Sequence, residues 1–468
     1  LMSISKSNFS GACLRTNASL LAIVSLSFPL MMNFPSELHA GQRSSSEKYP
    51  CVLHSLIIVS GIREAIISRT PRSRFSFSPL LNGYVPDIIR NIVRAVIVDW
   101  ARTPFHRAHK GSLSNVRPDE MLGQVTKFLL SRNNVDPGTI DDILVGCAYP
   151  EGEQGYNIGR LSVFLGGLPN SVPGATFNRL CGSSMQAILT AAAHIEVGWG
   201  DCYLCSGVES MSRIQRRGFN WSPHPELEEN YPDAYVNMGI TAENVAQKWN
   251  ISREEQENFA LNSHIKASTA NQSGFFDDEL CAIESDDVVS TDGCIRPNTS
   301  SESMSKLKPA FREGGTVTAA TSSPLTDGAV SLLVCSEDFA SANGLTPLAR
   351  VVSGAVVGCP PELMGIGPIE ATRKALSRAD WDVESVDIFE INEAFSSQSI
   401  AVIKELGLDE SKVNIDGGAI AIGHPLGASG ARITGKAASL IQRTNSQRAV
   451  ATMCIGGGMG IAIALESP

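Results

Sequence analysis

The chain has 468 residues, of which 43% are hydrophobic and 18% are charged, and its formal net charge is −10 at pH 7. These values are ordinary for a globular protein, and the length allows two or three domains. The acidic balance argues against nucleic acid as the main partner. Eleven cysteines without framework spacing favour a reducing compartment over a disulfide scaffold.

Residues 1–90 differ in composition from the rest of the chain, because basic residues outnumber acidic ones and serine is abundant. The apolar run over residues 20–32 is too short and too interrupted to predict a membrane span. A signal-peptide core and an organelle transit segment are both compatible with this composition. We favour a misplaced translation start, so residues 1–90 are interpreted as an N-terminal extension (disordered, targeting or misannotated) and not as a domain.

From residue 94 onward, short apolar runs alternate with amphipathic stretches, which is the pattern of an α/β protein. Strands are predicted at residues 95–98, 143–146 and 202–206, and helices at 118–132 and 157–165. Cys202 and Cys205 form a CxxC pair within a predicted strand. Side chains three apart in a strand point to opposite faces, so we predict two core thiols and no metal site there.

A polar, irregular stretch over residues 211–312 separates this strand–helix series from a second one. Within it, helices are predicted at 240–249 and 252–273, and Ser252 and Glu255 have the spacing of a capping box. The second series has predicted strands at 348–357 and 386–390, helices at 369–378 and 397–406, and strands on either side of Cys454. Two series of similar length predict a duplicated domain.

Cys181 lies where an extended segment turns into a helix, because apolar residues recur at helical spacing after it and Gly198 ends the pattern. Free backbone N–H groups and the dipole at a helix N-terminus favour a thiolate. The small residues that follow Cys181 leave room for a substrate carbonyl. A buried structural cysteine is the ordinary alternative, so this stretch alone leaves both interpretations open.

Three further motifs accompany Cys181. His424 lies in a glycine-rich turn before a helix, Cys454 precedes a run of glycines, and residues 392–395 read Asn-Glu-Ala-Phe. Taken singly, His424 could be a capping or surface residue, Asn392 a helix cap and Cys454 a core thiol. The glycines at 456–460 precede a strand and not a helix, which argues against a dinucleotide-binding loop.

Together and in this order, the four motifs closely resemble those of the thiolase family, and the resemblance runs from about Val93 to the C-terminus. It implies the thiolase fold, an α/β architecture of duplicated βαβαβαββ halves in a five-layer αβαβα sandwich with an inserted loop domain that holds coenzyme A. The implied boundaries are an N-terminal thiolase domain at 91–346, with the loop domain inserted at about 211–312, and a C-terminal thiolase domain at 347–468.

The resemblance also implies a role for each motif. Cys181 would be the nucleophile, His424 the base for its thiol, and Cys454 the acid and base at the substrate α-carbon. Asn392 would hold a water that shares one oxyanion hole with His424, and the backbone N–H groups of Cys181 and Gly456 would form the other. The residues expected to contact substrate or coenzyme A are Met238, Ala319, Ser323, Leu325 and Phe395.

Three positions depart from the commonest pattern of the family. Asn237 stands where biosynthetic acetoacetyl-CoA thiolases tend to carry histidine, Ala320 replaces a usual glycine, and Pro324 lies in the segment expected along the pantetheine. Degradative 3-ketoacyl-CoA thiolases commonly lack that histidine and carry stretches similar to residues 364–368. The sequence therefore looks most like the degradative type.

The expected activity is that of an acyltransferase (acetyl-CoA C-acyltransferase) that uses CoA to cleave 3-ketoacyl-CoA into acetyl-CoA and a shortened acyl-CoA, as in fatty acid β-oxidation. No metal or other cofactor is expected, because coenzyme A is a substrate. The alternative is an acetyl-CoA C-acetyltransferase that makes or cleaves acetoacetyl-CoA. A ketoacyl synthase is disfavoured because Cys454 stands where that enzyme uses a second histidine. A non-catalytic lipid-binding or scaffold protein is disfavoured because Cys181, His424 and Cys454 are all present.

The expected partners are acyl-CoA, CoA and further copies of the chain in a homodimer or homotetramer. A complex with a hydratase/dehydrogenase subunit is left open, and neither nucleic acid nor a stable membrane span is expected. The expected location is cytoplasmic, or mitochondrial or peroxisomal if residues 1–90 are a targeting segment. Chain-length preference and physiological direction are left open by the sequence.

Overall fold

The computed structural model of the protein describes residues 94–468, so the predictions for residues 1–90 lie outside the described residues. The strands are β1 (Ala95–Arg102), β2 (His106–Arg107), β3 (Asp142–Gly146), β4 (Gly174–Phe177), β5 (Cys202–Ser210), β6 (Thr326–Ser336), β7 (Ala349–Gly358), β8 (Ile388–Ile391), β9 (Arg448–Ile455) and β10 (Met459–Glu466). The helices are α1 (Pro118–Asn133), α2 (Ile158–Leu165), α3 (Ser183–Glu196), α4 (Pro225–Asn230), α5 (Met238–Lys248), α6 (Arg253–Gln272), α7 (Ser301–Ser305), α8 (Glu337–Ala342), α9 (Gly367–Ala379), α10 (Ser396–Leu406), α11 (Ala419–Ile422) and α12 (Leu426–Thr444).

The strands form two half-sheets with the same order. In the first, β4, β3 and β5 are parallel, and β6 and β1 continue it antiparallel. In the second, β8 and β9 are parallel, and β10 and β7 continue it antiparallel. Val413 forms a parallel bridge with Phe389 of β8, in the place that β4 occupies in the first half. The repeated order confirms the duplication expected from the sequence.

Two long helices form the layer between the half-sheets. Helix α3 contacts β3 and β5 of the first half-sheet and β10 of the second, α12 contacts β5, β6, β8 and β9, and the two helices pack on each other. Helices α1 and α2 cover the outer face of the first half-sheet, and α9 covers the outer face of the second. The result is the five-layer αβαβα sandwich.

Strand β5 shows how the layers divide the core. Cys202 packs in the outer core of the first half, whereas Tyr203 and Cys205 pack in the central core. Successive side chains of a strand alternate between its faces. The prediction of two core thiols on opposite faces is therefore confirmed.

The central helices meet closely at their N-terminal ends. A Cβ on Gly430 of α12 would lie 2.6 Å from the backbone nitrogen of Met185 in α3, so a side chain at this position would push the helices apart. Ser184 Oγ of α3 accepts a hydrogen bond from Ala431 N of α12 at 2.8 Å. The turns that precede the two helices, which carry Cys181 and His424, therefore lie at the same end of the central layer.

The insertion contains four helices, α4 to α7, and α5 and α6 match the predicted helices. The capping box is confirmed, because Ser252 Oγ accepts a hydrogen bond from Glu255 N and the Glu255 carboxylate accepts one from Ser252 N. Two details go beyond the polar, irregular stretch expected from the sequence. Residues 221–233 include helix α4, and the insertion shares the main core, since α6 packs against α10 and α11 and Phe276 lies in the central core.

A buried ion network ties the insertion to the rest of the fold. Arg102 of β1 is 0% exposed and binds Glu279 at 2.8 Å and both oxygens of Asp292 at 2.7 Å. Lys436 of α12 binds Glu279 at 2.5 Å and Asp416 at 3.2 Å. The cost of burying these charges is offset because each meets an opposite charge at hydrogen-bond distance.

Within residues 94–468, no helix is long and apolar enough to cross a membrane.

Candidate active site

Cys181 is half-buried in the turn that leads into α3. Leu180 adopts a left-handed φ of 45°, and Asn178 Oδ1 accepts from Leu180 N at 2.9 Å, which stabilises the turn. Burial raises the pKa of the Cys181 thiol to about 11, although the backbone N–H groups of Gly456 and of Cys181 itself donate to the sulfur and act to lower it. The thiolate expected from the helix N-terminus is therefore a thiol at neutral pH in the free protein, and it needs a base.

His424 can act as that base, because it is buried and neutral. Its Nδ1 lies 2.6 Å from Ser429 Oγ, and the same hydroxyl donates to Pro425 O at 3.1 Å. Since a hydroxyl carries one proton, Nδ1 is the donor to Ser429 and Nε2 keeps its lone pair. Burial and nearby Arg432 lower the pKa of His424 to about 4. The imidazole is therefore neutral at pH 7, with Nε2 ready to accept a proton.

Asn392 follows β8, and its side chain reaches His424. Asn392 Nδ2 lies 3.4 Å from His424 Nε2, and Asn392 Oδ1 is buried without a hydrogen-bond partner within residues 94–468. Helix α10 has Phe395 as its N-cap residue, so the interpretation of Asn392 as a helix cap is wrong. The turn is held by Glu393, whose carboxylate accepts from Asn414 Nδ2 at 2.8 Å.

Cys454 lies near the end of β9 and is 2% exposed. It packs in an apolar cluster with Met238 and Phe395. Burial raises the pKa of the Cys454 thiol well above its ordinary value, and the neighbouring Cys181 and Cys359 raise it further. Cys454 is therefore a second thiol beside Cys181, in an apolar environment.

Gly456 connects β9 to β10 and brings its backbone N–H to the Cys181 sulfur. A Cβ at this position would lie 3.2 Å from Leu180 Cδ1 and 3.4 Å from Met238 Sδ, so the loop packs closely against both. Strand β10 begins at Met459, so the glycines precede a strand, as predicted.

Four of the five residues expected to contact substrate touch this centre or its immediate neighbours. Met238 is the first residue of α5 and contacts Gly456 and the apolar cluster around Cys454. Ser323 donates hydrogen bonds from its backbone N and its Oγ to Ala394 O, at 3.0 and 3.1 Å. Leu325 is 49% exposed and forms a parallel bridge with His424. Phe395 packs in the Cys454 cluster, and Ala319 is exposed two residues after Val317, a member of the same cluster.

Two further residues were missed from the sequence: Ser429 contacts His424, and Glu209 binds the backbone of Gly427, three residues after His424. Ser429 stands five residues after His424, where the first turn of α12 brings it back to the imidazole, and this spacing was an available signal. Glu209 is an acid in the otherwise uncharged strand β5, and a buried charge in such a strand is rare. Among the described residues, no group of three or more His, Cys, Asp or Glu side chains is placed to hold a metal ion.

Comparison with protein families gives two matches, which together cover most of the chain. Residues 95–338 match the thiolase N-terminal domain and residues 345–467 match the thiolase C-terminal domain. The chain belongs to the thiolase family. This agrees with the resemblance carried by the four motifs, and the fold described above is the thiolase fold.

Individual thiolases are similar over nearly their whole length. The 3-ketoacyl-CoA thiolase of Bacillus subtilis is 46% identical over 386 residues, which are 80% of this chain and 99% of that protein. The 3-ketoacyl-CoA thiolase of Saccharophagus degradans is 46% identical over 382 residues, or 79% of this chain and 97% of that protein. Two solved structures match with a TM-score of 0.74 over 81% of this chain: Bacillus anthracis acetyl-CoA acetyltransferase (38% identical, 99% of that chain) and human mitochondrial 3-ketoacyl-CoA thiolase in complex with CoA (37% identical, 98% of that chain).

Proposed function

We propose that this thiolase uses CoA to cleave 3-ketoacyl-CoA into acetyl-CoA and an acyl-CoA shortened by two carbons, as in fatty acid β-oxidation. The observation that carries the proposal is the meeting of two thiols at one loop, since Gly456 donates to Cys181 and lies two residues after Cys454. The bacterial relatives described above are named 3-ketoacyl-CoA thiolases, which supports the same substrate class.

In the first half-reaction, Cys181 passes its proton to His424 Nε2 and its sulfur attacks C3 of the substrate. The S–C3 bond forms and the C2–C3 bond breaks, so the acyl group stays on Cys181 as a thioester. The electron pair of the broken bond goes to C2, and the resulting enolate of acetyl-CoA takes a proton from Cys454. Acetyl-CoA then leaves.

In the second half-reaction, the thiol of an incoming CoA gives its proton to the Cys454 thiolate and attacks the thioester carbon. The shortened acyl-CoA leaves, and the sulfur of Cys181 takes back the proton from His424. Every group returns to its starting state, so no redox partner is required.

Two groups of donors are suited to the negative oxygens that form on the way. The N–H groups of Cys181 and Gly456 point at the sulfur, and we assign them to the carbonyl oxygen of the acyl group on that sulfur. The buried Oδ1 of Asn392 has no hydrogen-bond partner among residues 94–468, so it suits an ordered water, which would form the second oxyanion hole with His424.

The test is a series of initial rates with 3-ketoacyl-CoA substrates of increasing chain length. We expect thiolysis of substrates longer than acetoacetyl-CoA, with the larger kcat/KM for the longer ones. Cleavage of acetoacetyl-CoA alone would replace the proposal with the acetyl-CoA C-acetyltransferase, which the similarity to the Bacillus anthracis enzyme supports. A folded protein that cleaves no 3-ketoacyl-CoA would refute both.

We also propose a homodimer or a dimer-based tetramer. Among residues 94–468, strand β4 is the edge of the first half-sheet. Large apolar side chains are exposed in and just before helix α2, which packs on β4: Tyr156 at 92%, Phe164 at 51% and Leu165 at 43%. An unpaired edge with exposed apolar residues favours association. Sedimentation of the active enzyme at working concentration should give a dimer or tetramer, and an active monomer would count against this.

A further inference from the structure

Glu209 is a buried carboxylate that contacts both halves of the fold. It is 0% exposed, near the end of β5. Its Oε2 accepts from Ala148 N of the first half at 2.8 Å and from Gly427 N of the second half at 2.9 Å. Its Oε1 accepts from Gln154 Nε2 at 2.6 Å and from Tyr149 N at 3.3 Å. Four N–H donors thus replace water around this carboxylate.

One of these bonds reaches the helix that follows the proposed base. Gly427 is the second residue of α12 and stands three residues after His424. Its N–H has no partner within the helix, so the carboxylate satisfies it and meets the positive end of the helix dipole. The contact requires glycine, because a Cβ at Gly427 would lie 2.7 Å from Cys147 Cα.

A second bond leads to the turn of the nucleophile. Ala148 N donates a hydrogen bond to Glu209, and the carbonyl oxygen of Ala148 accepts one from Asn178 Nδ2 at 3.1 Å. Asn178 Oδ1 in turn accepts from Leu180 N at 2.9 Å, directly before Cys181. A continuous series of hydrogen bonds therefore joins the Cys181 turn to α12, with Glu209 in the middle.

The charge of Glu209 also acts on the thiol. It raises the pKa of Cys181, whereas the half-buried guanidinium of Arg216 lowers it. Burial raises the pKa of Tyr149 and of Cys454, and the Cys181 sulfur raises both further.

We propose that Glu209 is a positioning residue for acyl transfer, whose single carboxylate sets the separation between the Cys181 sulfur and the His424 imidazole. This rests on the roles proposed above for Cys181 and His424. In this role Glu209 does not contact the substrate.

The test is the substitution Glu209→Gln. It keeps the shape of the side chain and removes its charge, and it turns an NH2 group toward the N–H donors of Gln154 and Tyr149. Peptide-resolved mass spectrometry would follow alkylation of Cys181 by iodoacetamide as a function of pH, and formation of the acyl-enzyme would be timed separately. We expect the pKa of alkylation to fall by roughly one unit as the negative charge is lost. We expect acylation to slow by about 10- to 100-fold as the pair loses its geometry.

Asp327→Asn is the matched control. Asp327 of β6 is equally buried and accepts hydrogen bonds from the Ser210 hydroxyl and from the Ser212 backbone and hydroxyl. This variant should lower the melting temperature but leave the alkylation pKa and the acylation rate of the folded enzyme unchanged. The proposal would be overturned if Glu209→Gln had the alkylation pKa and the acylation rate of wild type. It would also be overturned if Asp327→Asn changed both quantities as Glu209→Gln does.

Asn178→Ala keeps the proposal testable if Glu209→Gln does not fold. It breaks the series of bonds on the Cys181 side and retains the charge, so it should slow acylation without moving the alkylation pKa. Unchanged acylation in this variant would also overturn the proposal. Alkylation of Cys181 can be measured whether or not the protein is an active thiolase. A wild-type protein that forms no acyl-enzyme would therefore refute the proposed function, independently of the role of Glu209.

Discussion

At the scale of single residues, burial acts in opposite directions on the two partners of acyl transfer. It raises the pKa of Cys181 to about 11 because the thiolate loses hydration, and it lowers the pKa of His424 to about 4 because the imidazolium loses hydration. Proton transfer between them is therefore unfavourable in the free enzyme. It becomes favourable when the thiolate adds to a carbonyl whose oxygen is stabilised by N–H donors.

These values predict the pH dependence of Cys181 alkylation. Below its pKa of about 11 the thiolate fraction rises with pH, so the rate with iodoacetamide should rise about tenfold per pH unit through the neutral range. Protonation of His424 should matter only near pH 4. Rate measurements from pH 5 upward would check this, and a plateau that begins near pH 7 would instead indicate a preformed thiolate–imidazolium pair.

The two cysteines should be separable by mutation. Cys181→Ser should form no stable acyl-enzyme, because a hydroxyl is a far weaker nucleophile than a thiolate. Cys454→Ser should still take an acetyl group from acetyl-CoA onto Cys181, but it should lose condensation and α-hydrogen exchange by a factor of order a hundred.

Mass spectrometry of the thioester and NMR of acetyl deuteration would measure the two steps independently. Loss of acylation with retained exchange in Cys454→Ser would reverse the assigned roles. No effect of either substitution would count against the proposed chemistry as a whole.

Ser429 should act through the tautomer of His424. Ser429→Ala removes the acceptor 2.6 Å from Nδ1, so the proton is no longer held there and Nε2 is less often the free base. We expect kcat to fall by about 10- to 100-fold with a small change in KM. Thr434→Val is the control, because the Thr434 hydroxyl donates to Gly430 O on the same helix at 2.8 Å, and its loss should leave kcat nearly unchanged.

At the scale of elements, the attachment of the insertion depends on buried charge. Arg102→Leu would remove the ion pair of Asp292 and leave Glu279 with Lys436 alone, and we expect a loss of roughly 3–5 kcal/mol in the free energy of unfolding. Arg117→Ala is the control, since Arg117 is 53% exposed where it pairs with Asp119, and such a pair contributes at most about 1 kcal/mol. Urea unfolding would compare the two, and similar losses would contradict a structural role for the network.

At the scale of the whole molecule, we predict that the thiolase fold does not depend on residues 1–90. The family matches begin at residue 95, and the segment before residue 90 lacks the periodic apolar pattern of a packed element. Deletion of residues 1–90 should therefore leave activity and melting temperature essentially intact. A truncated protein that aggregates, or that loses several kcal/mol as expected for a missing domain, would show the segment to be structural.

The sequence by itself determined most elements of this protein, because their signals are local. Periodic apolar residues located the helices α1, α9 and α10 to within two residues, and side-chain spacing identified the Ser252 capping box. The order of the four motifs identified the family, since each motif is a short run of adjacent residues. Strand β6 was missed, and its burial on both faces leaves no alternation to mark it; β5, which is equally buried, was predicted only as far as residue 206.

Only the tertiary structure decided how the proposed catalytic groups are tuned. The low pKa of His424 and the high pKa of Cys181 arise from burial by the whole fold, which overrides the local tendency of a helix N-terminus to favour a thiolate. Glu209 binds Gly427, 218 positions away in sequence, because two glycine-lined surfaces approach closely. Such contacts depend on how separate elements pack, and no periodicity within one element encodes them.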